Sequence, residues 1–349
     1  MIELVVGVLT LTFAWLLAWA FKELPAEKWQ FVATVPRQRH ADGQWTGLNL
    51  TFYGALTALG YIVAIALMIV MCTAVGVALT PLIALVAVLL LVIVPSSRWV
   101  AAVVEGKQHT FTVAGAVFVA ALVCPLAVLI CNHGLEYFGG DPMPTLPLLA
   151  AMAISYTFGE GIGRIACISF GCCYGKPVST TTGMWRSLFT RLHFVFEGHT
   201  KKIAYESQLD GIPVIPIQAI TSTLYIVTAV IGFWIYLYGW YTTALIGTLG
   251  VSQLWRLYSE FLRADYHGAN TISPYQLMAG ATLLIGIAYG YGYHGTFPRA
   301  PDLERGLNAV WAPGPLMALQ LMGLIIFFYT GRSEVTQSRM QIHVCQDKI

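Results

Sequence analysis

The sequence predicts an all-α protein, a polytopic transmembrane helical bundle, on three observations. Hydrophobic residues make up 57% of the chain and charged residues only 10%, with a mean hydropathy of +0.69, a balance that excludes a water-soluble globule. No charge occurs from Gly43 to Ser97 or from Gly211 to Trp255, and each stretch is long enough for two crossings of about 20 residues. The alternating short segments of a transmembrane barrel are missing, so the apolar runs read as helices.

Nine runs qualify, at about 4–21, 50–74, 77–94, 111–132, 145–170, 217–238, 243–262, 276–292 and 313–330. Gly76 and Pro81 separate the second from the third, and Tyr238 to Tyr241 separate the sixth from the seventh. The first run carries Glu3 and no basic residue ahead of it, which argues for an uncleaved anchor although Ala18-Trp19-Ala20 resembles a cleavage site. The polar segment after it reads as a linker along the interface, with Trp29 and Phe31 at headgroup level. The largest polar insertion, about 174–216, reads as a small head whose segment Trp185 to Phe196 is amphipathic.

Two arginines lie within stretches otherwise fit for lipid: Arg164 in GEGIGRIACISFGCCYGKP and Arg256 in SQLWRLYSEFLRADYHG. A charge at the centre of a membrane helix costs at least about 2.5–3.5 kcal/mol, so each must face a partner or a wet cavity. A guanidinium stays ionised and offers forked donors to phosphate, which makes an anionic ligand the functional reading. Internal ion pairs are the competing one, since Glu160 precedes Arg164 by four residues and Glu260 follows Arg256 by four. Glu160 and His109 are the candidate general bases.

The seven cysteines are odd in number and scattered, which does not suit a disulfide framework. Cys167, Cys172 and Cys173 place three thiols within seven residues without an obvious fourth ligand, so no metal is assigned. Packing beside Gly171, nucleophilic chemistry and a redox pair all remain open for them. Gly159 and Gly163 form a small-residue face for close helix contact.

Five blocks in order resemble the prolipoprotein diacylglyceryl transferases: LTFYGALTALGY from Leu50 with its Tyr53-Gly54 pair, SSRWVA around Arg98, the Gly-Arg segment ending in GCCYGKP, PIQ with Gln218, and WRLYSEFLRADYHG, closed by SPYQL with Gln276. The resemblance implies a seven-helix core at 50–292, with an extra helix and linker at 1–49 and an extra helix and polar tail at 293–349. It implies transfer of the diacylglyceryl part of phosphatidylglycerol to a cysteine thiol, with release of glycerol phosphate and with no cofactor. Arg164 and Arg256 match the family's functional arginines, and Tyr53, Arg98, Gln218, Glu260 and Arg263 take substrate-binding positions. Arg263 also fits a local ion pair with Asp265 at the membrane edge. The chain departs from the family's pattern where a His-Gly-Gly becomes Val113-Ala114-Gly115, an asparagine becomes Cys167, and an acidic residue becomes Cys172. His109 lies four residues ahead of the lost histidine.

The implied partners are an anionic phospholipid, a lipoprotein or other lipid-anchored acceptor, and the membrane itself, with no nucleic acid; the implied location is the bacterial inner membrane. Readings of other classes are a membrane thiol-redox protein using Cys172 and Cys173, and a non-catalytic lipid-binding or transport protein on the same fold.

Charge and resemblance disagree on orientation. If the runs alternate sides, 15 of the 19 basic residues fall on the face bearing the head, while the opposite face receives only Arg299 and Arg305. The positive-inside rule then puts the head in the cytoplasm, whereas the family works at the outer face. On the charge rule, a cysteine replacing Thr181 in a chain without native thiols is expected to escape an impermeant maleimide in intact cells and to react after lysis. Labelling of intact cells would put the head outside.

Overall fold

The computed structural model describes residues 1–105, 112–264, 272–293 and 300–349. Its helices, in chain order, begin with α1 (Ile2–Glu23), α2 (Phe52–Ala74), α3 (Leu79–Glu105), α4 (Val113–Tyr137) and α5 (Thr145–Phe170). The head contributes the short α6 (Gly183–Arg191) and α7 (Lys202–Ser207). There follow α8 (Ile217–Leu237), α9 (Tyr241–Ser259), α10 (Pro274–Gly292), the short α11 (Leu303–Trp311) and α12 (Pro313–Thr330). Nine long helices thus stand, among the described residues, where nine apolar runs stand in the sequence. Six of them, α1 to α4, α8 and α12, are apolar enough to cross a membrane by length and composition. The other three are more polar because they carry groups that the bundle buries.

Helix α5 is the axis of the bundle, buried along most of its length against α2, α8 and α9. Missing side chains make this closeness possible. A Cβ on Gly161 would lie 2.9 Å from Ile226 Cγ1, and one on Gly60 would lie 3.0 Å from the Gly159 carbonyl. Gly159 meets Ala64 of α2, as its small-residue spacing suggests, whereas a Cβ on Gly163 would enter open space. Ser222 Oγ donates to the Gly161 carbonyl at 2.7 Å, fastening α8 to α5 where both are buried.

The linker and the tail differ from their sequence reading. Residues Phe31–Arg39 form β1, Trp45–Thr51 form β2 and Arg332–Met340 form β3, an antiparallel sheet in the order β1-β2-β3. The central strand finds one of its neighbours at the far end of the chain, and Pro36 in β1 disfavours a strand reading unless the strand is an edge, which β1 is. Buried Asn49 ties the three strands: its Oδ1 accepts from Thr34 and Ser338, and its Nδ2 donates to Thr336. Trp29 packs its ring edge-on against Trp19 and Phe52 and donates to Glu23 at 3.0 Å, so it is a joint between α1 and α2 more than a headgroup anchor.

The head is fixed to the bundle by a buried lysine. Lys201 Nζ donates to Ser169 O at 2.7 Å and to Leu24 O at 3.0 Å, carbonyls at the C-terminal ends of α5 and α1, where helix dipoles favour a cation. Burial nevertheless pushes this ammonium down to about 8, against about 10.4 for an unfolded lysine. Between those values the unfolded chain keeps a proton that the native head has released, so stability rises with pH across that window. The unfolding midpoint of the detergent-solubilised protein is expected to climb between pH 8 and 10, and Lys201→Met to remove that part of the climb; equal slopes would show that Lys201 does not titrate there.

Candidate functional site

One face of α5 carries Tyr156, Glu160, Arg164 and Cys167, spaced by four, four and three residues so that they stack along successive turns. Glu160 is the hub. It accepts from Arg164 Nη2 at 2.6 Å, from Arg256 Nη2 of α9 and from the Tyr156 hydroxyl, with Arg256 Nη2 a further 3.3 Å from that hydroxyl. Side-chain exposure is 4% for Glu160, 9% for Arg256 and 14% for Arg164, so the cluster is largely withdrawn from water.

Of the two pairings that the spacing suggests, one is present and the other is replaced. Glu160 does pair with Arg164 along α5, but Arg256 reaches across to Glu160 and not along its own helix to Glu260. Glu260 begins a single 3-10 turn after α9, which swings it toward Arg263 at 3.6 Å. Two guanidiniums therefore share one carboxylate, leaving one positive charge without a carboxylate of its own among the described residues. Arg256 Nε is also buried without a partner among them. A buried cationic surplus with spare donors suits an anion.

Arg164, Arg256, Glu260 and Arg263 line a cavity closed by Tyr225 and Thr221. It holds about 10 Å³, room for a single water. Tyr225 donates to Ser252 O at 2.8 Å and Trp255 Nε1 to Thr221 Oγ1 at 2.8 Å, so the wall between α8 and α9 is itself hydrogen-bonded.

The thiols gather beside this cluster. Helix α5 ends at Gly171, whose φ of 72° favours glycine, and the amides of Gly171 and Cys172 both return to the Cys167 carbonyl, at 2.9 and 3.1 Å. Cys173 follows with φ 54°, and the chain so reversed brings Cys167, Cys172 and Cys173 together with all three sulfurs within 4.8 Å of one another. Gln218, at the start of α8, donates from Nε2 to Cys172 O at 2.7 Å, while its Oε1 is buried without a partner among the described residues. Hydrogen bonds from Cys167 and Cys172, with Arg263 and Arg164 behind them, hold the Cys173 thiol well below its ordinary range.

The remaining candidates fall at different distances from this centre. The Tyr53 ring packs 5.5 Å from that of Phe170, next to the thiols, and is half-buried. Arg98 is exposed on α3 and donates to Tyr329 of α12 at 2.9 Å, so it braces the added C-terminal helix and does not line the cavity. His109 and Asp265 lie outside the described residues. Sequence reading missed Tyr156 and Tyr225; Tyr156 had a signal in standing one turn before Glu160.

A bundle of membrane-length helices around a buried, positively charged and thiol-bearing centre defines a multi-pass membrane protein. The family model described as prolipoprotein diacylglyceryl transferase matches residues 44–291, and the chain belongs to that family. No curated protein and no solved structure matched it. Membership makes the chain a membrane transferase of the lipoprotein pathway, and its family-matched stretch spans the seven core helices α2 to α5 and α8 to α10.

The shared carboxylate sets the energetics of the site. Glu160→Gln leaves two facing guanidiniums without their common negative charge, a loss of about 3–5 kcal/mol for a broken buried pair, and is expected to lower the unfolding midpoint clearly. Adding Arg164→Gln should recover part of it. A single change as stable as the double would show that water already screens the pair.

Proposed function

We propose that the chain moves the diacylglyceryl group of an anionic glycerophospholipid, phosphatidylglycerol being the donor that family membership suggests, onto a cysteine thiol. The observation that carries this reading is the surplus positive charge of Arg164 and Arg256 around a single carboxylate. A phosphodiester entering between α8 and α9 competes with Glu160 for the guanidiniums, and the cavity opens as the carboxylate withdraws.

The acceptor sulfur attacks the glyceryl carbon that bears the phosphate. The C–S bond forms, the C–O bond breaks, and glycerol phosphate leaves with the electron pair. Negative charge growing on the departing phosphate is met by guanidinium donors already in place, a preorganised arrangement that costs no rearrangement at the moment of reaction. The released Glu160, which keeps the hydrogen bond from the Tyr156 hydroxyl, is the described carboxylate best placed to take up a proton.

Lipid mass spectrometry of membranes with and without the protein is the direct test: the expected result is a glyceryl thioether product and glycerol phosphate. Arg164→Lys and Arg256→Lys keep the charge but lose the fork, so turnover is expected to fall by about 10²–10³-fold while the protein stays stable in detergent. The double neutralisation Glu160→Gln with Arg164→Gln should regain stability and not turnover. Regained turnover would defeat the phosphate role, since a repaired pairing cannot replace a missing anion ligand.

A further inference from the structure

We propose that Cys167, Cys172 and Cys173 form a three-thiolate site for one Zn²⁺ ion, whose fourth coordination position takes the acceptor thiol. The second half of this statement rests on the transferase reading; the first half stands without it.

Geometry is the first argument. Two thiolates on one tetrahedral zinc, each about 2.3 Å from the metal, lie about 3.8 Å apart. Cys167 Sγ and Cys173 Sγ are 3.9 Å apart, and the third sulfur lies within 4.8 Å of both. The αL turn at Gly171 and the positive φ of Cys173 impose this convergence, so the backbone and not a chance rotamer gathers the sulfurs. The sequence argues against a metal because it offers no fourth ligand. Three protein ligands with an open position are, however, the pattern of a zinc ion that acts on a substrate.

Charge is the second argument. Three thiolates and Zn²⁺ sum to −1, opposite in sign to the surplus left by Arg164, Arg256 and Glu160 one to two turns back along α5. The cluster and the cavity are neighbours, since Arg164 and Arg263, which line the cavity, are the guanidiniums that act on Cys173.

Chemistry is the third. The proposed transfer is an S-alkylation, and its nucleophile must be a thiolate. A thiol that coordinates zinc is deprotonated outright. The acceptor thiol gives up its proton to the released Glu160 carboxylate on binding the metal, and its sulfur then forms the C–S bond as glycerol phosphate departs, while the three chain thiolates stay bound throughout. The ion would supply the activation for which the family's histidine has no counterpart among the described residues.

The test begins with the reduced, detergent-purified chain, stripped with a chelator and dialysed against Zn²⁺, Cu⁺ or Co²⁺ separately. One Zn²⁺ per chain is expected, with Co²⁺ giving a thiolate-to-metal charge-transfer band, and both lost in Cys167→Ala and in Cys173→Ala but kept in Cys131→Ser. Because an alanine variant could misfold, alkylation mapping of the wild type is run alongside: Zn²⁺ should protect these three cysteines and leave exposed Cys345 reactive. Substoichiometric zinc, or unchanged alkylation of all three, overturns the site. Stoichiometric Cu⁺ with no Zn²⁺ overturns the zinc site and the acceptor role with it, because three-coordinate copper leaves no place for a thiol. Zinc binding with chelator-insensitive transfer overturns that role as well and leaves the metal site standing. Absence of any transfer, with zinc bound, would count against the transferase reading and not against the metal site.

Discussion

The carboxylate of Glu160 is the contact on which the centre of this molecule depends. Two guanidiniums and a phenol converge on it from two helices, and without it Arg164 and Arg256 would face each other in a space nearly closed to water. Burying such charges is expensive, and complementary partners offset the expense only while all of them are present. The glycines of α5 and α2 serve a neighbouring contact, bringing α2 and α8 close against the helix that carries Glu160.

The thiol cluster extends this logic along the same helix. From Tyr156 to Cys167 the chain places a phenol, an acid, a base and a sulfur on one face, and the αL turn at Gly171 then folds two more sulfurs back onto it. Chemistry is thus concentrated on one helix that never meets lipid over most of its length. The outer helices carry the burden of membrane residence, with α1, α3 and α12 leaving most of their surfaces exposed.

Much of this was legible in the sequence. The nine helices are visible because a membrane helix must be apolar over its whole length, and Arg164 and Arg256 stand out because charge there is costly. The spacing of Glu160 and Arg164 gave one ion pair correctly, since a pairing along one helix is a local matter. The pairing of Arg256 was not legible: it crosses between helices, and the 3-10 turn that redirects Glu260 leaves no mark in composition. The sheet escaped for a related reason, since β2 pairs with residues near the other end of the chain and the strands are largely polar. The three cysteines were visible as neighbours in sequence, but their convergence depends on two positive φ angles that a list of residues does not reveal.

The pairing of β2 with β3 also bears on the order in which the protein is made. Thr51 donates to the Gly331 carbonyl across 280 residues of chain, and the sheet cannot close until the last helix has been inserted. A nascent chain therefore carries β1 and β2 with an open edge through nearly the whole of synthesis. The closing strand acts as a late latch, joining both ends of the polypeptide beside the head only after every crossing is in place. A chain released after residue 331 would keep every helix from α1 to α12 and leave the rim unsealed.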